Sequence, residues 1–232
     1  MRTPSGATGL LVGAISYALG VCTLVEPGDM ALPTPCPGWD LRTLLAHLSD
    51  SMADLETAIR TGHLDLERPE NPPDLPAASP SAGDRVDVLR DRAAALLSAS
   101  YCYAGPERFV AVGGLPVPAG LVVCTGAVEI AVHGWDVSSA LGACAPIPAA
   151  LATRMLRLCP LLVIGREGLF AAPVEVPAQA SPGDQLLGYL GRQSRNTPCD
   201  SGRLALYTWA RPDRPAMRPG TSGGSSRRAS SL

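Results

Sequence analysis

Apolar residues recur every three or four positions from Asp40 onward: Leu41, Leu44, Leu45, Leu48, Met52, Leu55 and Ile59. A period of 3.6 puts them on one face, so the spacing predicts a helix to about Arg60, with Asp40 as its N-cap. Leu11, Ile15, Ala18, Leu19 and Cys22 give an earlier stripe, weakened by Gly13 and Gly20. Val86, Leu89, Ala93, Leu96 and Leu97 give a third helix over about Asp84 to Tyr101. A fourth, opened by Pro118 and closed at Leu141-Gly142, carries the apolar run from Cys124. Pro148 is placed as first residue of a fifth helix, with Leu151, Met155, Leu158 and Leu162 inward.

Between the third and fourth helices the period changes to two. Arg108 to Val112, Gly113-Gly114 and Leu115 to Val117 read as a small β-hairpin. Glu26-Pro27-Gly28-Asp29 ends the first helix, and Pro33, Pro35 and Pro37 make the stretch 31–39 a stiff, non-helical connector. Residues 66–83 are rich in Pro, Ser and acidic groups and read as a loop. An extended piece, Ala172 to Val176, and a small helix, Asp184 to Leu190, complete a domain over 1–192. The stretch 193–232 is Arg, Ser, Pro and Gly without periodicity, and disorder is expected there.

Composition adds few constraints. A formal net charge of −2 on 232 residues gives no electrostatic case for nucleic acid. All nineteen cationic residues are Arg, which suggests GC-rich, actinobacterial coding and carries no function. Seven cysteines without a C-x-x-C pair read as reduced small hydrophobes of a cytoplasmic protein. Thr3 to Val25 is uncharged and follows Arg2, as a targeting segment would be, but its glycines and hydroxyl residues favour a bundle helix.

Candidate chemistry centres on the fourth helix. Glu129 and His133 are four residues apart, hence on one face, and Asp136 extends that stripe by a turn. Such groups amid Val, Ile and Ala need partners, which a divalent cation supplies to a carboxylate and an imidazole together. A plain hydrogen-bonded Glu–His pair is the competing reading. His47, on the shoulder of the second helix's stripe, supplies a second imidazole, its alternative being a surface histidine. Two His and one Glu leave coordination positions open, as catalytic sites do. His63, the remaining histidine, follows the second helix in a polar stretch and is expected in solvent. No G-x-S-x-G, phosphate-binding glycine loop or cysteine zinc framework is present.

Two blocks carry a family resemblance: Thr34-Pro-Cys-Pro-Gly-Trp-Asp40 followed by His47, and Glu129-x-x-x-His133-Gly-Trp-Asp136. They resemble the signatures of the DinB-like superfamily, in the branch containing mycothiol-dependent maleylpyruvate isomerase. Val174-Glu-Val-Pro177 through Leu190-Gly-Arg192 is similar to the close of its small, single-domain members. The resemblance covers about residues 8–192. It implies an all-α fold, a four-helix bundle with a small hairpin and short C-terminal additions. It also implies a divalent metal, zinc before nickel or others, held by His47, Glu129 and His133. Asp136 would orient His133, a direct ligand role being the alternative, while Trp39 and Trp135 would pack where helices converge.

A thiol transferase or isomerase is the activity this implies, with mycothiol as co-substrate and a small electrophile as substrate. Alternatives are a thiol-independent hydrolase, isomerase or cyclase, and a non-catalytic metal-binding protein. No cysteine of the chain sits where it would be the nucleophile, since Cys36 lies between two prolines and Cys124 precedes Glu129 by more than a turn. Partners reduce to small molecules, without nucleic acid or membrane, and a homodimer is left open. The substrate pocket is expected to take its shape from loops 62–83 and 104–118.

Overall fold

Leucine-rich stripes of helical period collapse onto one another because each would otherwise leave its apolar face in water. In the computed structural model, which describes residues 6–64, 82–162 and 171–193, they form α1 (Gly6–Cys22), α2 (Leu41–Thr61), α3 (Ala82–Tyr103) and α4 (Ala119–Ala140). Shorter α5 (Ala149–Leu162) and α6 (Pro182–Tyr189) follow, with strands β1 (His63–Leu64), β2 (Phe109–Val112) and β3 (Leu115–Pro118). A bundle with a hairpin and short C-terminal additions is the DinB-like architecture that the resemblance implies. The expected loop and tail fall largely on 65–81 and 194–232, outside the described residues.

The four long helices close a ring in which α1 packs on α4, α4 on α2, α2 on α3, and α3 on α1. Directions follow from contacts. Gly120 and Gly134 of α4 approach Ala7 and Ala18 of α1, so these two run parallel. Thr8 of α1 bonds Ser100 of α3 at 3.0 Å, so that pair is antiparallel. β1 follows α2 and pairs in parallel with β2, which follows α3, so α2 and α3 end together at the sheet. The order is therefore up, down, down, up.

Close approach of α4 to its neighbours depends on two glycines. A Cβ on Gly134 would sit 3.0 Å from the Ala18 Cα, and one on Gly126 would meet Leu55 Cδ2 at 2.1 Å. Without side chains there, Ala18 of α1 and Leu55 of α2 enter notches in α4, giving tight interior packing. Leu10, Leu11, Leu44, Leu48, Met52, Leu89, Leu96 and Ile130 are fully buried in the resulting core. Each contributes about 1.5–3 kcal/mol of gross burial.

Local signals act largely as anticipated. Asp40 accepts from Thr43 N at 2.8 Å, satisfying a free amide at the start of α2. The Gly113–Gly114 turn joins β2 to β3 with both residues at positive φ, 55° and 81°. Gly142 follows α4 at φ 62°. Pro118 and Pro148 stand immediately before α4 and α5 rather than inside them. Leu97, Leu158 and Leu162 are only partly buried. Residues 172–176 form no strand, although Val174 N donates to Gly188 O at 2.9 Å. The third strand, β1, has no sequence signal, being two residues recruited by β2.

One expectation about cysteines needs correction: Cys144 is disulfide-bonded, whereas Cys22, Cys36, Cys102 and Cys124 are free thiols. Residue spacing carries no information about such a pairing, which depends on which segments meet in space. Among the described residues α4 is the one helix long and apolar enough to cross a membrane by length and composition, and 61% of that window is buried within the protein. A central bundle helix has this character because neighbours surround it.

Candidate metal centre

His47 stands in the second turn of α2, while Glu129 and His133 project from successive turns of α4. Because α2 and α4 are antiparallel neighbours, these three side chains face one another. One ligand atom from each lies within 4.8 Å of the others. His47 Nε2 is 3.4 Å from Glu129 Oε1, and the two imidazole rings meet edge to face with centroids 4.9 Å apart. Asp136 is not in this set. Its carboxylate oxygen Oδ2 instead meets His133 Nδ1 at 3.0 Å.

Exposure grades across the cluster. The His47 and Glu129 side chains are 33% and 36% exposed, and His133 is 12% exposed. The cluster thus opens to solvent on the α2 and α4 shoulder and is closed behind His133. Trp39 packs at 4.7 Å from the His47 ring at an interplanar angle of 60°. Trp39 and Trp135 are both partly buried against the core, so the packing role expected of them is combined, for Trp39, with a place beside the site.

Behind His133, Asp136 is 0% exposed. Its Oδ2 lies 3.0 Å from His133 Nδ1, 2.9 Å from Arg192 Nη2 and 3.5 Å from Cys36 Sγ, and Arg192 Nε donates to Oδ1 at 3.4 Å. Burial pushes the Asp136 acid up, but the hydrogen bonds from His133 and Arg192 and the guanidinium charge outweigh it, so the group sits below its usual range. An ionised carboxylate only accepts hydrogen bonds. His133 therefore donates to it from Nδ1–H.

Glu129 behaves similarly. Burial raises its carboxyl, but contact with His47, the charge of His133 and a 2.7 Å hydrogen bond from Ser51 Oγ bring it below its usual value. Ser51 also lies 3.4 Å from His47 Nε2. Cys36 has the opposite electrostatics: burial first, then the Asp136 charge, push its thiol up to about 12. Cys36, His133 and Asp136 form a second close group of metal-competent atoms. That group shares His133 with the first, and its carboxylate is already committed to Arg192.

Two expected features lie elsewhere. His63 is exposed in β1. The 104–118 segment, expected to shape a substrate pocket, sits beside the C-terminus of α2, about 20 Å along that helix from His47 at 1.5 Å per residue. Parallel α2 and α3 put the hairpin at the opposite end of the bundle from His47, an outcome local periodicity does not specify. Residues near the cluster come instead from the proline-rich connector, through Cys36 and Trp39, and from the C-terminal segment, through Arg192.

Three contributors were missed in the sequence. Ser51 had a usable signal, since it stands four residues after His47 and so shares its helix face. Cys36 stands inside the Thr34–Asp40 block, but nothing in its spacing points to Asp136. Arg192 was visible only as the last residue of a similar C-terminal block.

Comparison with known proteins gives the following likenesses. The mycothiol maleylpyruvate isomerase N-terminal domain family matches residues 14–138, more than half of the 232-residue chain. An uncharacterized protein of Mycobacterium tuberculosis strain H37Rv, Rv0738, is 28% identical over 178 residues, covering 74% of this chain and 89% of that protein. Its counterpart in strain CDC 1551, MT0763, matches to the same extent. A crystal structure of the mycothiol-dependent maleylpyruvate isomerase aligns with a TM-score of 0.45 and 20% identity, covering 65% of this chain and 66% of that one, just under two thirds of its length.

Proposed function

The chain belongs to the mycothiol maleylpyruvate isomerase N-terminal domain family, and on that premise we propose that it is a metal-dependent enzyme in which a low-molecular-weight thiol attacks a small electrophile. The observation that carries this reading is the meeting of His47, Glu129 and His133 within 4.8 Å. Two imidazoles and one carboxylate match the donor set of open catalytic sites, with zinc the first candidate. Mycothiol is the thiol that the family's description suggests.

When bound, a divalent ion supplies Lewis-acid charge that lowers the pKa of a neighbouring thiol or water toward neutrality. The protein's own residues have definable tasks. His47 Nε2, Glu129 Oε1 and His133 Nε2 would hold the ion. Asp136 keeps the His133 proton on Nδ1, away from the ion. Trp39 and the connector cover one flank, and the exposed shoulder of His47 and Glu129 gives the substrates their approach. Burial and the Asp136 charge push the Cys36 thiol up to about 12, which favours a co-substrate as the source of the attacking sulfur.

Metal analysis of purified protein, followed by consumption of a thiol in the presence of model electrophiles, tests this reading. Stoichiometric metal together with thiol consumption is the expected result. Metal without thiol use would favour a hydrolase, isomerase or cyclase, and no metal would leave a binding protein. His133→Ala should abolish metal binding while leaving most helicity. Retention of stoichiometric metal in that variant would refute the ligand set.

A further inference from the structure

A fully buried carboxylate is stable only if donors replace its lost water, and the geometry of those donors fixes how it lies. Asp136 gains the Arg192 guanidinium on both oxygens, Nη2 to Oδ2 at 2.9 Å and Nε to Oδ1 at 3.4 Å. A planar fork of this kind sets the plane of the carboxylate, which a point charge does not do. The same Oδ2 lies 3.0 Å from His133 Nδ1. Fixing the carboxylate plane therefore fixes the ring.

Arg192 is itself held in place by its surroundings. Its backbone N donates to Leu187 O at 2.8 Å, closing the end of α6, which packs on α5. Gly191 reverses the chain at φ 79°, and a Cβ there would lie 2.7 Å from both the Ala171 carbonyl oxygen and its Cβ. Only glycine allows this approach, and it aims the next side chain back toward Asp136.

We propose that Arg192 is a positioning residue for the metal centre: it clamps Asp136 through both oxygens, fixes the orientation of His133, and so makes metal affinity depend on docking of segment 171–193. This rests on the reading that His47, Glu129 and His133 hold an ion. A counter-charge role alone would make lysine an adequate replacement, whereas a plane-setting role requires the fork.

Full-length wild type, Arg192→Met, Arg192→Lys and Gly191→Ala are compared by zinc affinity in chelator competition and by the visible spectrum of the cobalt-loaded protein. Circular dichroism of the metal-free forms monitors folding. Arg192→Met is expected to weaken zinc binding about 10–100-fold and to change the cobalt spectrum. Arg192→Lys should recover only part of the affinity. Gly191→Ala keeps the guanidinium but displaces it, so it should also weaken binding, and it carries the test if Arg192→Met fails to fold. Arg154→Met, which removes a cation that donates to Gly6 O at the other end of the bundle, should bind zinc as wild type does. Folded Arg192→Met or Gly191→Ala with wild-type affinity and spectrum would overturn the positioning role, as would full recovery in Arg192→Lys. A wild-type chain that binds no ion would remove the metal reading and this inference with it, whereas loss of the variant effect alone leaves the metal reading standing.

Discussion

Ser51 Oγ donates a 2.7 Å hydrogen bond to Glu129 Oε1, linking α2 to α4 at the centre of the candidate site. The hydroxyl restrains the carboxylate on the shoulder where it is most open to water. Ser51→Ala should change folding stability by about 1 kcal/mol or less, because water can replace the lost donor. Metal affinity should fall by up to about tenfold, the lower end of the effect of losing a partner behind a ligand. Chelator competition and urea unfolding of one preparation check both. Tighter binding in the variant would mean that Ser51 competes with the ion for Oε1.

Gly134 tests the packing that brings α4 against α1. A Cβ there would stand 3.0 Å from the Ala18 Cα and 3.2 Å from Tyr17 Cε1, so a branched side chain forces the helices apart. Gly134→Val should destabilise the protein by about 1–3 kcal/mol despite removing a helix-breaking glycine. Denaturant unfolding measures it. An unchanged midpoint would show that α1 and α4 separate without cost.

Acid sensitivity follows from two carboxyls. Asp136 and Glu129 sit below their ordinary values of 3.8 and 4.5 in the folded protein, burial being outweighed by nearby donors and cations. The unfolded chain therefore takes up these protons first as pH falls. Their stabilisation is complete above the ordinary values and drains away as pH drops through the lowered folded ones. Metal-free protein should lose urea resistance from about pH 5 downward. Asp136 supplies most of the slope, since the more exposed Glu129 is screened by solvent. Asp136→Asn should flatten the acid limb, and a slope equal to that of the wild type would exclude Asp136 as its source.

Cysteine reactivity separates an internal from an external nucleophile. Burial pushes the Cys22 thiol up to about 12, and burial with the Asp136 charge does the same to Cys36. Cys102 is exposed. Alkylation of native protein near neutral pH, mapped by mass spectrometry, should label Cys102 well before Cys22 or Cys36. Thiol consumption should persist in Cys36→Ala, and its complete loss in a variant that still binds metal would point to Cys36 as a participant.

The stripe from Leu41 to Ile59 was legible because it depends only on the 3.6-residue turn, and the face shared by Glu129 and His133 was legible for the same reason. The Gly113–Gly114 turn and the Asp40 cap are equally local. By contrast, the hairpin is remote from His47 because α2 and α3 run parallel, a choice made by crossovers rather than by periodicity. The Cys144 disulfide likewise has no spacing signal.

By itself the sequence determined which segments are helical, which residues lie on each face, and that one carboxylate and one imidazole of α4 stand a turn apart. These are short-range consequences of backbone geometry. Only the tertiary structure decided that His47 approaches that pair, that Cys36 reaches Asp136 across 100 residues, and that Arg192 returns across 56 to clamp the same carboxylate. Such contacts arise from helix direction, glycine notches and chain reversal acting together, and a buried carboxylate whose one nearby donor in sequence, His133, serves a single oxygen must find its other donors wherever packing delivers them.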